Sequence, residues 1–118
     1  MADYRAALER LMASPRGFDW LPEVWHLIYE EGIRGNHILF QDEDLTSIRA
    51  SMARGKLDWN DEFGRSVENR AVQLLRLNNI DIIRTRVRSL SDDEKLGLYL
   101  VYQCGLELWR SALKRGLN

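Results

Sequence analysis

The feature that most constrains the fold of this chain is a helix start signal followed by a long uncharged run. Ser91 and Glu94 have the spacing of a capping box, in which each side chain accepts a hydrogen bond from a backbone N–H that would otherwise stay unpaired. Eleven consecutive uncharged residues follow, from Leu96 to Leu106. A helix that is apolar nearly all round must be enclosed by its neighbours. We therefore predict that residues 91–115 form the central helix of the protein.

Small residues recur along this predicted helix at spacings of seven or eight: Gly97, Cys104, Gly105 and Ala112. A glycine inside a helix costs about 1 kcal/mol relative to alanine, so a compensating gain is expected. The interpretation we favour is the close crossing of a neighbouring helix inside the bundle, and the alternative is a face that forms a homodimer. A membrane span is not predicted, because a bilayer requires roughly twenty apolar residues.

The second half of the predicted helix should reach solvent. Its polar stripe consists of Gln103, Glu107, Arg110 and Lys114. Gly116 then has the position of a left-handed cap that ends the helix.

The rest of the chain shows helical periodicity almost throughout. The predicted helices cover residues 3–13, a segment from about Pro22 to Gly32, residues 42–55, a segment capped by Asp58 that runs to about Leu77, and residues 80–90. Residues 33–41 fit a loop, a short helix or a strand. Residues 80–90 also alternate like a strand, but we choose a helix because an isolated strand would lack a partner. The sequence thus predicts a single all-α domain over residues 1–118, a compact bundle of about five to six helices around a central C-terminal hydrophobic helix.

Composition agrees with a globular protein that folds without covalent help. A chain of 118 residues, 45% of them hydrophobic, can bury roughly two thirds of the surface of its unfolded state. Cys104 is the single cysteine, so an intramolecular disulfide is impossible and a buried thiol is expected. The sequence around Tyr4 and Leu8 is amphipathic and lacks the apolar core of a signal peptide. We therefore expect a cytoplasmic protein.

The net charge of −1 conceals an acidic first half and a basic second half. The acidic groups that we select as a candidate partner-binding surface are Asp42, Glu43, Asp44, Asp58, Asp61 and Glu62. Carboxylates at these positions suit the starts of helices, and they would also steer association with a basic surface on another protein.

Four tryptophans are many for a chain of this length. The periodicity places Trp25, Trp59 and Trp109 in the core. Trp20 differs, because it stands with Phe18 just before a helix. It fits either a hydrophobic staple or an exposed anchor for a partner protein.

A second candidate surface is basic and consists of Arg76, Arg84, Arg86 and Arg88. Such a patch would bind the phosphates of a nucleic acid. Asp81 lies within the same segment, and local ion pairs would neutralise part of the positive charge.

Metal binding and catalysis have little support in the sequence. Glu23, His26 and Glu30 share one face of a predicted helix, and Glu-x-x-His is half of the ligand set of di-iron carboxylate bundles. The other half is missing, so we predict no metal and no cofactor. No serine or cysteine lies in a motif that would activate it as a nucleophile.

The function favoured by this elimination is a non-enzymatic protein-binding module, such as an adaptor, an inhibitor or an immunity-type neutraliser. One alternative is a nucleic-acid-binding protein that uses the arginine patch. Another is a helical bundle that binds a small molecule or a metal through His26 and Glu30.

Overall fold

A computed structural model describes residues 21–55, 57 and 59–114 of the chain. These residues form helices and no strand, which confirms the predicted all-α bundle. The helices are α1 (Glu23–Ile33), α2 (Asp42–Arg54), α3 (Asp61–Leu75), α4 (Ile80–Arg88) and α5 (Asp92–Lys114). None of these helices is long and apolar enough to cross a bilayer. The predicted helix over residues 3–13 lies outside the described residues.

Helix α5 begins at the predicted capping box. The backbone N–H of Ser91 donates to Glu94 Oε1 at 3.1 Å, and the N–H of Glu94 donates to Ser91 Oγ at 3.2 Å. The helix then packs against α1, α2 and α3, which makes it the predicted hub. Its first half is enclosed, whereas Glu107 and Arg110 in the second half are exposed. The predicted cap at Gly116 lies outside the described residues.

The glycines of α5 lie where other helices cross it. A Cβ atom added at Gly97 would lie 2.8 Å from Val67 Cγ2 of α3, and one added at Gly105 would lie 2.6 Å from the Tyr29 hydroxyl of α1. Close crossing inside the bundle is therefore confirmed. Because α3 and α1 already cover these positions, the glycines do not form an open face for a second copy.

Asparagine side chains start two of the helices. Asn60 Oδ1 accepts a hydrogen bond from the N–H of Phe63 at 2.8 Å, so the cap of α3 is Asn60 and the prediction of Asp58 was wrong. Asn79 Oδ1 accepts from the N–H groups of Asp81 and Ile82, which fixes the start of α4 and confirms a helix there. An asparagine oxygen supplies the acceptor that the first turn of a helix lacks.

Residues 34–41 form turns, and this segment buries Leu39 and Phe40. The Phe40 ring contacts Tyr99 and Tyr102 of α5 edge-on, with ring centroids 5.5 Å apart in both pairs. The apolar side chains of the segment therefore belong to the core although the backbone is irregular.

Aromatic side chains fill the space between α1 and α5. Tyr29 is buried between Tyr102 and Trp109, and its ring is stacked on both. Trp25 is also buried, and its indole N–H donates to the carbonyl oxygen of Leu74 at 2.9 Å. The core positions of Trp25 and Trp109 are confirmed, while Trp59 is only partly buried.

Helix α2 packs Leu45 and Ile48 against the core. Met52 stands four residues after Ile48, where helical periodicity would also bury it, but that side chain is 59% exposed, whereas the polar Ser51 is buried. Ser51 is buried because its hydroxyl donates to Asp93 Oδ1 at the start of α5, at 2.6 Å. A buried polar side chain with such a partner escapes the penalty of desolvation.

Candidate functional site

The predicted acidic surface at the start of α2 is divided between solvent and core. Asp42 and Glu43 are exposed, but Asp44 is fully buried. Asp44 Oδ2 accepts a hydrogen bond from the N–H of Gln41 at 3.0 Å, and Oδ1 lies 2.9 Å from Nζ of the buried Lys95. Asp44 therefore joins α2 to α5 and is not available to a partner, so its assignment to the surface was wrong.

Lys95 is the residue that decides the position of Asp44. A buried carboxylate needs an opposite charge and hydrogen bonds, since it loses its hydration. Lys95 stands four residues before Tyr99 and seven before Tyr102, on one side of the central helix. This periodicity could have identified Lys95 as a buried cation, and we missed the signal.

The exposed carboxylate of Glu43 lies close to an arginine that we assigned to another site. Arg88 Nε is 3.8 Å from Glu43 Oε2, and Arg88 Nη2 donates to the side-chain oxygen of Gln41. On the same side of α4, Arg84 Nε donates to the carbonyl oxygen of Ile38 at 2.7 Å. The start of α2 and one side of α4 therefore adjoin, and they partly neutralise each other.

The four arginines of the predicted basic patch do not share one surface. Arg86 lies about 200° around α4 from both Arg84 and Arg88, because each residue of a helix advances by about 100°. Arg86 lines a cleft with α3, and Arg76 is exposed at the end of α3. The single phosphate-binding patch predicted from the sequence is therefore wrong.

The second pair of predicted acidic residues begins α3. Asp61 and Glu62 are both exposed, and neither carboxylate forms an ion pair with the described residues. An open groove of about 680 Å³ runs along this helix, lined by Glu62, Arg65, Ser66, Asn69, Arg70 and Gln73. Asp61 and Glu62 thus remain candidates for a partner-binding surface. Asp58 and Trp20 lie outside the described residues.

The possible metal ligands on α1 are not gathered into a site. The His26 ring packs edge-on against Trp109, with centroids 5.2 Å apart, and Glu30 is exposed. Among the residues that the structure describes, no three or more His, Cys, Asp or Glu side chains are close enough to hold a metal ion. The other histidine, His37, has Nδ1 2.8 Å from the Tyr102 hydroxyl.

Packing accounts for the shifted pKa values of the described residues. The hydrogen bond from Ser51, followed by that from Arg54, lowers the pKa of Asp93. Burial opposes ionisation of Glu94, yet hydrogen bonds from Ser91 and the charge of Arg70 lower the pKa of this residue overall. Burial, with a smaller contribution from Tyr99, raises the pKa of Tyr102 to about 12. These groups lie at the start of α5 or at contacts between helices, so the shifts bear on the stability of the fold.

Comparison with protein-family models, with curated proteins and with solved structures found no match to this chain. Its function must therefore be inferred from the surfaces of the molecule itself.

Proposed function

We propose that the chain is a non-enzymatic protein-binding module, of the adaptor, inhibitor or immunity type, whose partner presents a basic surface. The observation that carries the proposal is the set of exposed carboxylates at two helix starts. Asp42, Asp61 and Glu62 have no ion pair within the described residues. Glu43 has only the 3.8 Å contact with Arg88, and its side chain is 77% exposed.

Exposed carboxylates of this kind can attract a partner from a distance. They create a negative potential that speeds the encounter with a positive surface, and salt weakens the effect. The Glu43–Arg88 contact is no obstacle, because an exposed ion pair contributes at most about 1 kcal/mol. A cation of the partner can replace Arg88.

The same helix offers an apolar contact. Met52 of α2 is 59% exposed, and methionine adapts its shape to irregular partner surfaces. At about 100° per residue, Met52 lies on the Asp42 side of α2, about 80° around the helix from Asp42, and opposite Glu43, so it could contact a partner that approaches from the side of Asp42. The proposal places this activity in the cytoplasm, where the thiol of Cys104 stays reduced.

Nucleic-acid binding and metal binding have weaker support. The Arg84 side chain donates to the carbonyl oxygen of Ile38 and the Arg88 side chain to Gln41, while Arg86 lies on the opposite side of α4, so these arginines do not form one phosphate-binding surface. We therefore give neither alternative as the function.

The first experiment is affinity capture from native cell extract that is divided into nuclease-treated and untreated halves. We expect one protein to be captured in both halves in a defined ratio to the bait. Capture that disappears with nuclease would contradict the proposal and favour nucleic-acid binding.

The second experiment measures how fast the captured protein associates with a charge-reversed variant. Asp42→Lys combined with Glu43→Lys should slow association about tenfold at low salt and much less at high salt. The matched control is Asp81→Lys, which reverses an exposed carboxylate in the first turn of α4. Unchanged association of the double variant at low salt, or equal slowing by the control, would remove the α2 surface from the proposal.

A further inference from the structure

A cleft lies between α3 and the turn that joins α4 to α5. It has a volume of about 250 Å³ and is lined by Arg70, Gln73, Leu74, Arg86, Ser89 and Leu90. It opens beside the groove along α3, because Arg70 and Gln73 line both. None of its residues belongs to the acidic surface of the proposed function.

Arg86 brings a positive charge to this cleft that the described residues do not neutralise. Its guanidinium has no hydrogen bond and no ion pair with any of them, while its carbonyl oxygen accepts from the Ser89 hydroxyl at 2.7 Å. Arg84 and Arg88, by contrast, are engaged on the other side of α4. Arg86 is therefore available to a ligand.

Arg70 adds a second guanidinium from a different helix. Arg70 Nε lies 3.2 Å from Glu94 Oε2, and the Arg70 side chain is 49% exposed. This contact leaves the two Nη groups as donors, and the exposed amide of Gln73 is a further one. Two cations and one carboxylate leave an excess of positive charge at the cleft.

We propose that this cleft binds the phosphate group of a small phosphomonoester. A phosphate carries up to two negative charges and several acceptor oxygens, which match planar guanidinium groups better than a single carboxylate does. Leu74 and Leu90 form an apolar wall against which the organic part can pack. The volume is slightly below the range of about 300–1,000 Å³ of ordinary ligand pockets, so the ligand is small.

A small molecule fits this site better than a nucleic-acid strand. A strand that left the cleft along the α3 groove would meet the carboxylate of Glu62 as well as the guanidinium group of Arg65. The groove thus offers a polyanion repulsion as well as attraction, whereas the cleft, with a volume of about 250 Å³, has room for a small phosphomonoester. The experiment must therefore distinguish the binding of a nucleic-acid strand from the binding of a small phosphomonoester.

The test is an NMR titration of the ¹⁵N-labelled full chain with three separate probes: inorganic phosphate, phenyl phosphate and a short single-stranded oligonucleotide. We expect saturable shifts of the backbone amides of Gln73, Arg86 and Leu90 with phenyl phosphate, and weaker binding of inorganic phosphate, which lacks the apolar ring. Arg86→Gln should weaken the binding of phenyl phosphate about tenfold or more, because a charge-assisted hydrogen bond is lost. This variant should stay folded, since the exposed Arg86 side chain has no hydrogen bond or ion pair with the described residues to lose.

The matched control is Arg49→Gln, which removes an exposed arginine from α2 and should leave binding unchanged. Three results would overturn the proposal. These are no saturable shift at the cleft with phenyl phosphate, equal affinity of wild type and Arg86→Gln, or Arg86-dependent binding of the oligonucleotide alone. The last result would assign the cleft to nucleic acid.

Discussion

Glycine and tyrosine pack reciprocally where α1 crosses α5. A Cβ atom at Gly32 of α1 would lie 2.5 Å from the Tyr102 hydroxyl of α5, and one at Gly105 of α5 would lie 2.6 Å from the Tyr29 hydroxyl of α1. Each helix thus leaves room for a tyrosine of the other. Each tyrosine fills the space where a side chain is missing.

Gly105→Ala should destabilise the protein by about 1–2 kcal/mol. Alanine gains about 1 kcal/mol in helix propensity, but overpacking a core costs about 1–3 kcal/mol, and the upper half of that range is expected here because the added Cβ would lie 2.6–2.9 Å from three atoms of Tyr29. Tyr29 cannot move aside easily, because it is buried and stacked on both Tyr102 and Trp109. Urea unfolding measures the free energy change.

The cause of this loss can be tested with Tyr29→Phe, which removes the hydroxyl nearest to the added methyl group. Gly105→Ala should cost less in that background than in the wild type. An alanine variant as stable as the wild type would show that the crossing is looser than the structure indicates.

At the scale of elements, polar contacts hold α2 against the start of α5. The central contact is the buried ion pair between Asp44 and Lys95. Arg54 Nη2 lies 3.1 Å from Asp93 Oδ1, and Ser51 donates to the same oxygen. Directional contacts of this kind fix how the two helices lie against each other, which apolar packing alone does less strictly.

Lys95→Met should destabilise the fold by about 3–5 kcal/mol, because it leaves the carboxylate of Asp44 buried without a counter-charge. Adding Asp44→Asn should recover part of the loss, since an amide carries no charge and its oxygen can still accept from Gln41. The control is Lys114→Met, which removes an exposed lysine of the same helix and should change stability little. Chemical denaturation measures all three variants. A loss at Lys95 as small as that at Lys114 would contradict a structural role for the pair.

At the scale of the whole molecule, ionisable groups at helix contacts set the pH range of stability. The pKa values of Asp93 and Glu94 are lowered from 3.8 and 4.5, so the folded state binds protons less readily than the unfolded chain. The pKa of Tyr102 is raised from 10.0 to about 12, and burial also raises that of Tyr29. Folding therefore favours charged carboxylates and neutral tyrosines.

Stability should be highest between about pH 5 and pH 9 and should fall on both sides. The carboxylates stabilise the fold above their ordinary pKa values, and this contribution disappears as the pH falls through the lowered values. The tyrosines stabilise it below pH 10, and this contribution disappears as the pH rises towards about 12. Urea unfolding at a series of pH values measures how the free energy of unfolding falls on the acid side and on the alkaline side.

Two variants test which residues cause the loss of stability at low pH, the acid limb of the profile, and at high pH, the alkaline limb. Ser51→Ala removes the strongest influence on the pKa of Asp93 and should flatten the acid limb. Tyr102→Phe removes an ionising group and should flatten the alkaline limb. A profile that neither variant changes would contradict these assignments.

Features that depend on residues close together in the chain were predictable from the amino-acid sequence. The capping box of Ser91 and Glu94 and the enclosed first half of α5 follow from hydrogen bonds within one turn and from side-chain periodicity. The helix over residues 80–90 needed a further argument, because its pattern also fits a strand that would have had no partner. The crossing at Gly105 was predictable because a glycine inside a helix needs a compensating contact. Which helix supplies that contact was not.

Which polar groups are buried and which are available depends on how the helices pack against one another. Asp42 and Asp44 stand two residues apart, yet one is exposed and the other buried, because Lys95 comes from another helix to pair with Asp44. The cleft of Arg70 and Arg86 likewise joins two helices. The local sequence determines where a helix starts and ends, and which of its faces is apolar. The partner that each charge meets depends on how distant segments pack.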